Sequence, residues 1–126
     1  MKRRSVEKLA LVVFAFVACA GPPAPDGAIC RDMIHRICIP PKCSSVSNLN
    51  LDGGTGNASC ESILQVRTGC DSDDFEFTTP SRDRVLECRV PLLRAGKDIE
   101  QHPDCLDVDQ LIYECQDVTR FLQGVQ

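Results

Sequence analysis

The stretch Asp104–Leu122, DCLDVDQLIYECQDVTRFL, spaces Val108, Leu111, Cys115, Val118 and Leu122 three or four residues apart. That interval puts them on one stripe of an α-helix. Gly124 follows as a stop signal, since glycine takes up the left-handed conformation that ends helices. Working outward, Gly27–Cys38 carries Ile29, Cys30, Met33, Ile34, Ile37 and Cys38 on one face and Arg31, Asp32, His35 and Arg36 on the other. Asp26 is its expected N-cap, and Ile39-Pro40-Pro41 ends it because proline lacks the amide donor and restricts its predecessor. Ser59–Thr68 is a third helix, capped by Ser59 and stopped by Gly69. Thr79-Pro80 reads as a cap and first-turn proline before a fourth, in which Val85, Cys88 and Leu92 form a stripe that Pro91 bends or ends. Only Phe75-Glu76-Phe77-Thr78 alternates like a strand, too briefly to build a sheet. The expected fold is all-α: a small four-helix domain over 28–124 with long loops.

The 126 residues include nine cysteines, no tryptophan and one tyrosine. Length allows one domain, and the cysteine content far exceeds that of an ordinary cytosolic domain. The N-terminus explains the cysteines. Lys2, Arg3, Arg4 and Lys8 precede Leu9–Ala18, LALVVFAFVA, an unbroken apolar run of ten. A basic start, a short apolar core and small residues behind it are the features of an export signal, 1–18. A membrane-spanning helix needs roughly 20 apolar residues. Without 1–18 the chain holds 10 basic and 17 acidic residues, a balance of −7. That sign argues against nucleic acid, which requires clustered Lys and Arg to displace phosphate counterions.

Phe16-Val17-Ala18-Cys19 resembles a bacterial lipobox. The resemblance implies that Cys19 receives a lipid, becomes the new N-terminus and ties the chain to a membrane. The competing reading is Ala18-Cys19-Ala20 as a plain small-residue site cut before Gly21. Residues 19–27, with Pro22, Pro23 and Pro25, then form a short stiff tether. Under either reading eight cysteines remain: Cys30, Cys38, Cys43, Cys60, Cys70, Cys88, Cys105 and Cys115. An even number in an exported chain of this size implies four disulfides.

Helical rise separates Cys30 from Cys38 by about 12 Å and Cys105 from Cys115 by about 15 Å, whereas a disulfide needs Cα atoms within about 7 Å. Neither pair closes on itself if its segment is helical, nor does Cys60 with Cys70 unless Gly69 turns the chain back. Each helix is therefore expected to be stapled to another. The triplets Cys43, Cys60, Cys70 and Cys88, Cys105, Cys115 repeat at a constant offset of 45, a trace of duplication with little other support. Cys60-x9-Cys70 and Cys105-x9-Cys115 are also similar to the twin motif of the coiled-coil-helix-coiled-coil-helix family, over four cysteines. That resemblance implies an antiparallel helical pair with Cys60 bonded to Cys115 and Cys70 to Cys105.

Other chemistry finds little support. Zinc sites favour C-x2-C, which is absent; His35-x2-Cys38-x4-Cys43 is the nearest grouping, and disulfides are the expected use of those sulfurs. His35 falls on the polar face of its helix, and His102, before Pro103, reads as a loop or cap residue. No serine elbow accompanies them, so no catalytic residue is nominated. Asp71-Ser72-Asp73-Asp74-Phe75-Glu76 lacks the glycine and terminal glutamate of a calcium loop and reads as a solvated acidic loop. Ser44–Asn57 is a surface loop whose glycines are not followed by the lysine of a phosphate cradle, and Asn57-Ala58-Ser59 fits a glycosylation acceptor. No metal or cofactor is expected. The sequence thus reads as a non-catalytic cell-envelope lipoprotein domain with an interaction or structural role, or as a freely secreted effector, inhibitor or small-ligand-binding module.

Overall fold

The computed structural model describes residues 22–41, 43–49 and 56–125, with the backbone alone at 48 and 56–59. Met1–Gly21, which hold the expected leader and Cys19, lie outside them. Among the described residues there are five α-helices and no strand: α1 (Asp26–Ile37), α2 (Gly56–Thr68), α3 (Arg82–Cys88), α4 (Cys105–Glu114) and α5 (Gln116–Leu122). Two 3-10 turns, Ser44–Leu49 and Val90–Leu92, join them. The all-α expectation holds.

α1 buries Ile29, Cys30, Met33, Ile34 and Ile37, the face its periodicity assigned. Its cap is Pro25 rather than Asp26. Asp26 is the first helical residue, and its carboxylate turns outward to bind another loop. Ser44–Leu49 is also more ordered than its composition implies. Leu49 is fully buried in the core, the Ser45 hydroxyl donates to the Asp109 carboxylate, and Arg67 donates to the Leu49 carbonyl. α2 begins at Gly56, ahead of the expected Ser59 cap, and ends where Gly69 adopts φ +85°. The cap of α3 moves from Thr79 to Ser81, whose hydroxyl accepts the Arg84 N–H at 3.3 Å. Pro91 ends that helix in a 3-10 turn and aims Leu92 into the core.

The expected Asp104–Leu122 helix is two helices. Cys115, at φ −120° and ψ 71°, interrupts it. Without the continuous ladder, the Ile112 carbonyl would lose its partner in the helix wall. The Thr119 hydroxyl donates to that oxygen at 3.1 Å and to the Cys115 carbonyl at 2.9 Å, so both buried acceptors are satisfied. The stripe nevertheless stays inward, and Val108, Leu111, Val118 and Leu122 are all fully buried.

The fully buried core is wholly aliphatic apart from Met33 and sulfur. Phe75, Phe77 and Phe121 instead cluster at its edge, with ring centroids 5.0 to 6.1 Å apart, a spacing typical of favourable aromatic contacts.

Candidate functional site

The eight described cysteines form four disulfides: Cys30–Cys70, Cys38–Cys60, Cys43–Cys105 and Cys88–Cys115, with Cα separations of 5.3 to 6.1 Å. No pair closes within one helix. The pairing implied by the twin Cys-x9-Cys likeness is not the one formed: Cys60 bonds to Cys38 instead of Cys115, and Cys70 to Cys30 instead of Cys105. An antiparallel pair carrying two disulfides does exist, between α1 and α2. Cys30 and Cys38 lie on one face of α1 about 12 Å apart, and they meet Cys70 and Cys60 in reverse order. The break at Cys115 turns the other x9 segment to a different neighbour, α3. Partners also ignore the 45-residue offset, which leaves the apparent repeat without structural expression. Four disulfides belong to an oxidising compartment outside the reducing cytosol.

His102, expected in a loop or as a cap, is buried at 5% exposure. Its Nδ1 lies 2.7 Å from Asp107 Oδ2, and since a carboxylate only accepts, that nitrogen carries the hydrogen. Asp107 also receives the Lys97 ammonium and the Asp104 backbone N–H, while Asp104 accepts the Asp107 N–H at 3.0 Å, a reciprocal capping box. Burial works against ionisation of Asp107; Lys97 and the Asp104 N–H outweigh it and hold its pKa below the ordinary carboxylate value. The Asp104-x-x-Asp107 spacing was the one signal in the sequence that could have revealed this cluster. His102 Nε2 is sealed in, with no hydrogen-bond partner among the described residues. His35 is exposed, and its Nδ1 lies 2.6 Å from Glu61.

A second cluster fixes the end of the tether. Arg82 Nη1 donates to the Ala24 carbonyl and to Asp26 Oδ1, both at 2.7 Å, and Asp26 Oδ2 accepts the Phe77 N–H at 2.9 Å. The Phe77 N–H first, and Arg82 second, pull the Asp26 pKa down. A groove of about 520 Å³ runs along this edge, lined by Pro23, Pro25, Asp73, Asp74, Glu76 and Arg82. It is open and acidic, unlike the mostly apolar clefts that take small molecules. Asp73, Asp74 and Glu76 are exposed to solvent, as expected of a solvated loop.

Cys88, Cys115 and Asp117 bring two sulfurs and a carboxylate within 4.8 Å, a metal-like spacing. Both sulfurs are bonded to each other. Asp117 is gripped by Arg84 through two bonds of 2.9 and 3.1 Å, which lower the Asp117 pKa and raise that of Arg84. On the opposite side of α4 from the core, Leu106 and Tyr113 project into solvent at 75% and 83% exposure. Seven residues apart, they share one face.

No protein family, curated protein or solved structure matches this chain. Among the described residues no helix is long and apolar enough to cross a membrane.

Proposed function

We propose that this chain is an exported, non-catalytic cell-envelope domain, lipid-anchored through Cys19, whose role is structural or in protein interaction. One observation carries the reading. Of nine cysteines, eight are joined in four disulfides, and the ninth stands directly behind the apolar run, where a lipobox places its acylated residue. The stapled core supplies rigidity without needing a ligand. Of the two histidines, His102 is sealed beneath Asp107, out of reach of a substrate.

Intact-mass measurement on the exported protein, without reductant, tests this directly. A chain starting at a diacylglyceryl-modified Cys19 with no free thiol is the expected result. A chain starting unmodified at Gly21 would leave the freely secreted module as the correct reading, and a retained leader with free thiols would overturn export altogether.

A further inference from the structure

The clamp at Arg82 has a geometric consequence for a chain anchored through Cys19, which rests on the anchoring proposed above. Ala24 is bound to the fold through its carbonyl, and Asp26 through both carboxylate oxygens. Four residues lie between Cys19 and Ala24, so five Cα–Cα steps join them. Whatever path they take, five steps span at most about 18 Å. A domain of about 100 residues has a radius of gyration near 13 Å and is roughly 30 Å across. The reach of the tether is therefore shorter than the body it holds.

α1 gives this body a direction. Its N-terminal end carries the clamp and the Cys30–Cys70 bond, and its 12 residues run about 18 Å to the end marked by Cys38–Cys60. Just beyond lies Cys43–Cys105, with Cys105 Sγ 4.0 Å from the Pro41 carbonyl. Leu106 stands next to it. For that end to face the bilayer, the clamp would have to sit the roughly 18 Å of α1 plus the turn to Cys43 from the headgroups, beyond the full stretch of the tether.

We propose that the edge formed by Pro23, Asp73, Asp74 and Arg82 faces the membrane surface, and that the Cys105–Leu106 end, with the exposed Leu106, is presented away from it. The carboxylates of the near edge give it no attraction to anionic headgroups, so the tether rather than adhesion holds it close. At physiological ionic strength the Debye length is about 8 Å, which confines the repulsion to the last part of the gap.

The test uses the chain beginning at Cys19, its exported form in this reading, coupled through the Cys19 thiol to maleimide lipid in phosphatidylcholine vesicles that also hold nitroxide-headgroup lipid. A genetically encoded fluorophore replaces either Asp74 or Leu106, both exposed. Quenching is expected to be several-fold stronger at position 74. Inserting a Gly/Ser stretch of about fifteen residues between Gly21 and Pro22, with a mean span of roughly 20 Å, should bring the two positions to similar quenching. Equal quenching on the uninserted chain, or a difference that survives the insertion, would overturn the orientation. Because the anchor is supplied chemically, this outcome is independent of acylation in the cell. An exported chain found to start at Gly21 would overturn the anchoring, and the membrane-facing assignment with it.

Discussion

His102 Nδ1 and Asp107 Oδ2 meet 2.7 Å apart beneath the first turn of α4, with both side chains more than nine-tenths buried. Asp107 thus serves three donors: the imidazole, Lys97 and the Asp104 backbone N–H. Asp107→Ala removes the acceptor of the Asp104 N–H, one half of the capping box, and leaves a buried imidazole donor unsatisfied. The expected cost is about 2–4 kcal/mol, or a fall in melting temperature of roughly 10 °C or more for a domain of this size. Lys97 is 40% exposed, so water replaces much of its interaction, and Lys97→Met should cost less than about 1 kcal/mol. Thermal melts of both variants check the order. Equal effects would mean that the imidazole contact contributes little.

Acid should destabilise the fold through three carboxylates. Asp26, Asp107 and Asp117 all have folded pKa values below their ordinary one. In the unfolded chain they take up protons near pH 3.9, before the folded state does. Their contribution is therefore complete above that value and is lost as the pH falls through the depressed folded values. Urea midpoints are expected to hold steady down to about pH 5 on this account and to drop between about pH 4 and pH 2. Asp26→Asn and Asp117→Asn should each flatten the drop. An unchanged acid slope in both would show that these ion pairs do not stabilise the fold.

The parts of this fold legible in the sequence were those set by period and by single-residue conformational limits. The buried stripes of α1 and of Asp104–Leu122, the stops at Gly69 and Gly124 and the effect of Pro91 follow from backbone geometry. The partner of each cysteine did not, because spacing along a chain fixes which pairs cannot close but not which helices become neighbours. The same limit hid Leu49, which lies in a Ser- and Asn-rich segment and is buried in a turn that Arg67 of α2 and Asp109 of α4 hydrogen-bond. His102 does lie in the loop ahead of α4, but its burial there, against Asp107, has no periodic signature in the sequence.

Reduction is expected to unfold the domain. The four bonds span 22 to 62 residues, and loop-closure entropy assigns each about 3–4 kcal/mol, together comparable with the 5–15 kcal/mol net stability of an ordinary domain. Excess reductant should abolish the cooperative melt and most of the helical circular dichroism. Peptide mapping of the oxidised protein should recover Cys30 with Cys70, Cys38 with Cys60, Cys43 with Cys105, and Cys88 with Cys115. Finding Cys60 joined to Cys115 would contradict the antiparallel seating of α1 on α2.

Arg82 should prove a local clamp and not a pillar of the fold. A third of its side chain is exposed, so the ion pair with Asp26 is partly screened and contributes at most about 1 kcal/mol. Arg82→Ala should lower the melting temperature by no more than about 5 °C. The Phe77 amide, which donates to the same carboxylate, should exchange faster with solvent once Asp26 is free to swing away. Hydrogen exchange resolved to that amide separates the two effects. Unaltered protection at Phe77 would show that Asp26 is positioned by α1 alone.

Thr119 tests whether the break at Cys115 is built into the fold. Its hydroxyl serves the Ile112 and Cys115 carbonyls and is 8% exposed. Thr119→Val keeps the shape and deletes the donor. The Cys115 carbonyl retains the Thr119 backbone N–H, whereas the Ile112 carbonyl loses its hydroxyl partner. The expected cost is about 1–3 kcal/mol, the penalty for an unsatisfied buried acceptor. If the Cys88–Cys115 bond imposes the interruption, the break persists in the oxidised variant and the Ile112 carbonyl is left bare at that full cost; if the hydroxyl alone holds it open, the helix straightens, the N–H of Gln116 returns to Ile112, and the substitution is nearly neutral. A melt of Thr119→Val in the oxidised protein therefore distinguishes a hydroxyl-supported break from one imposed by the disulfide.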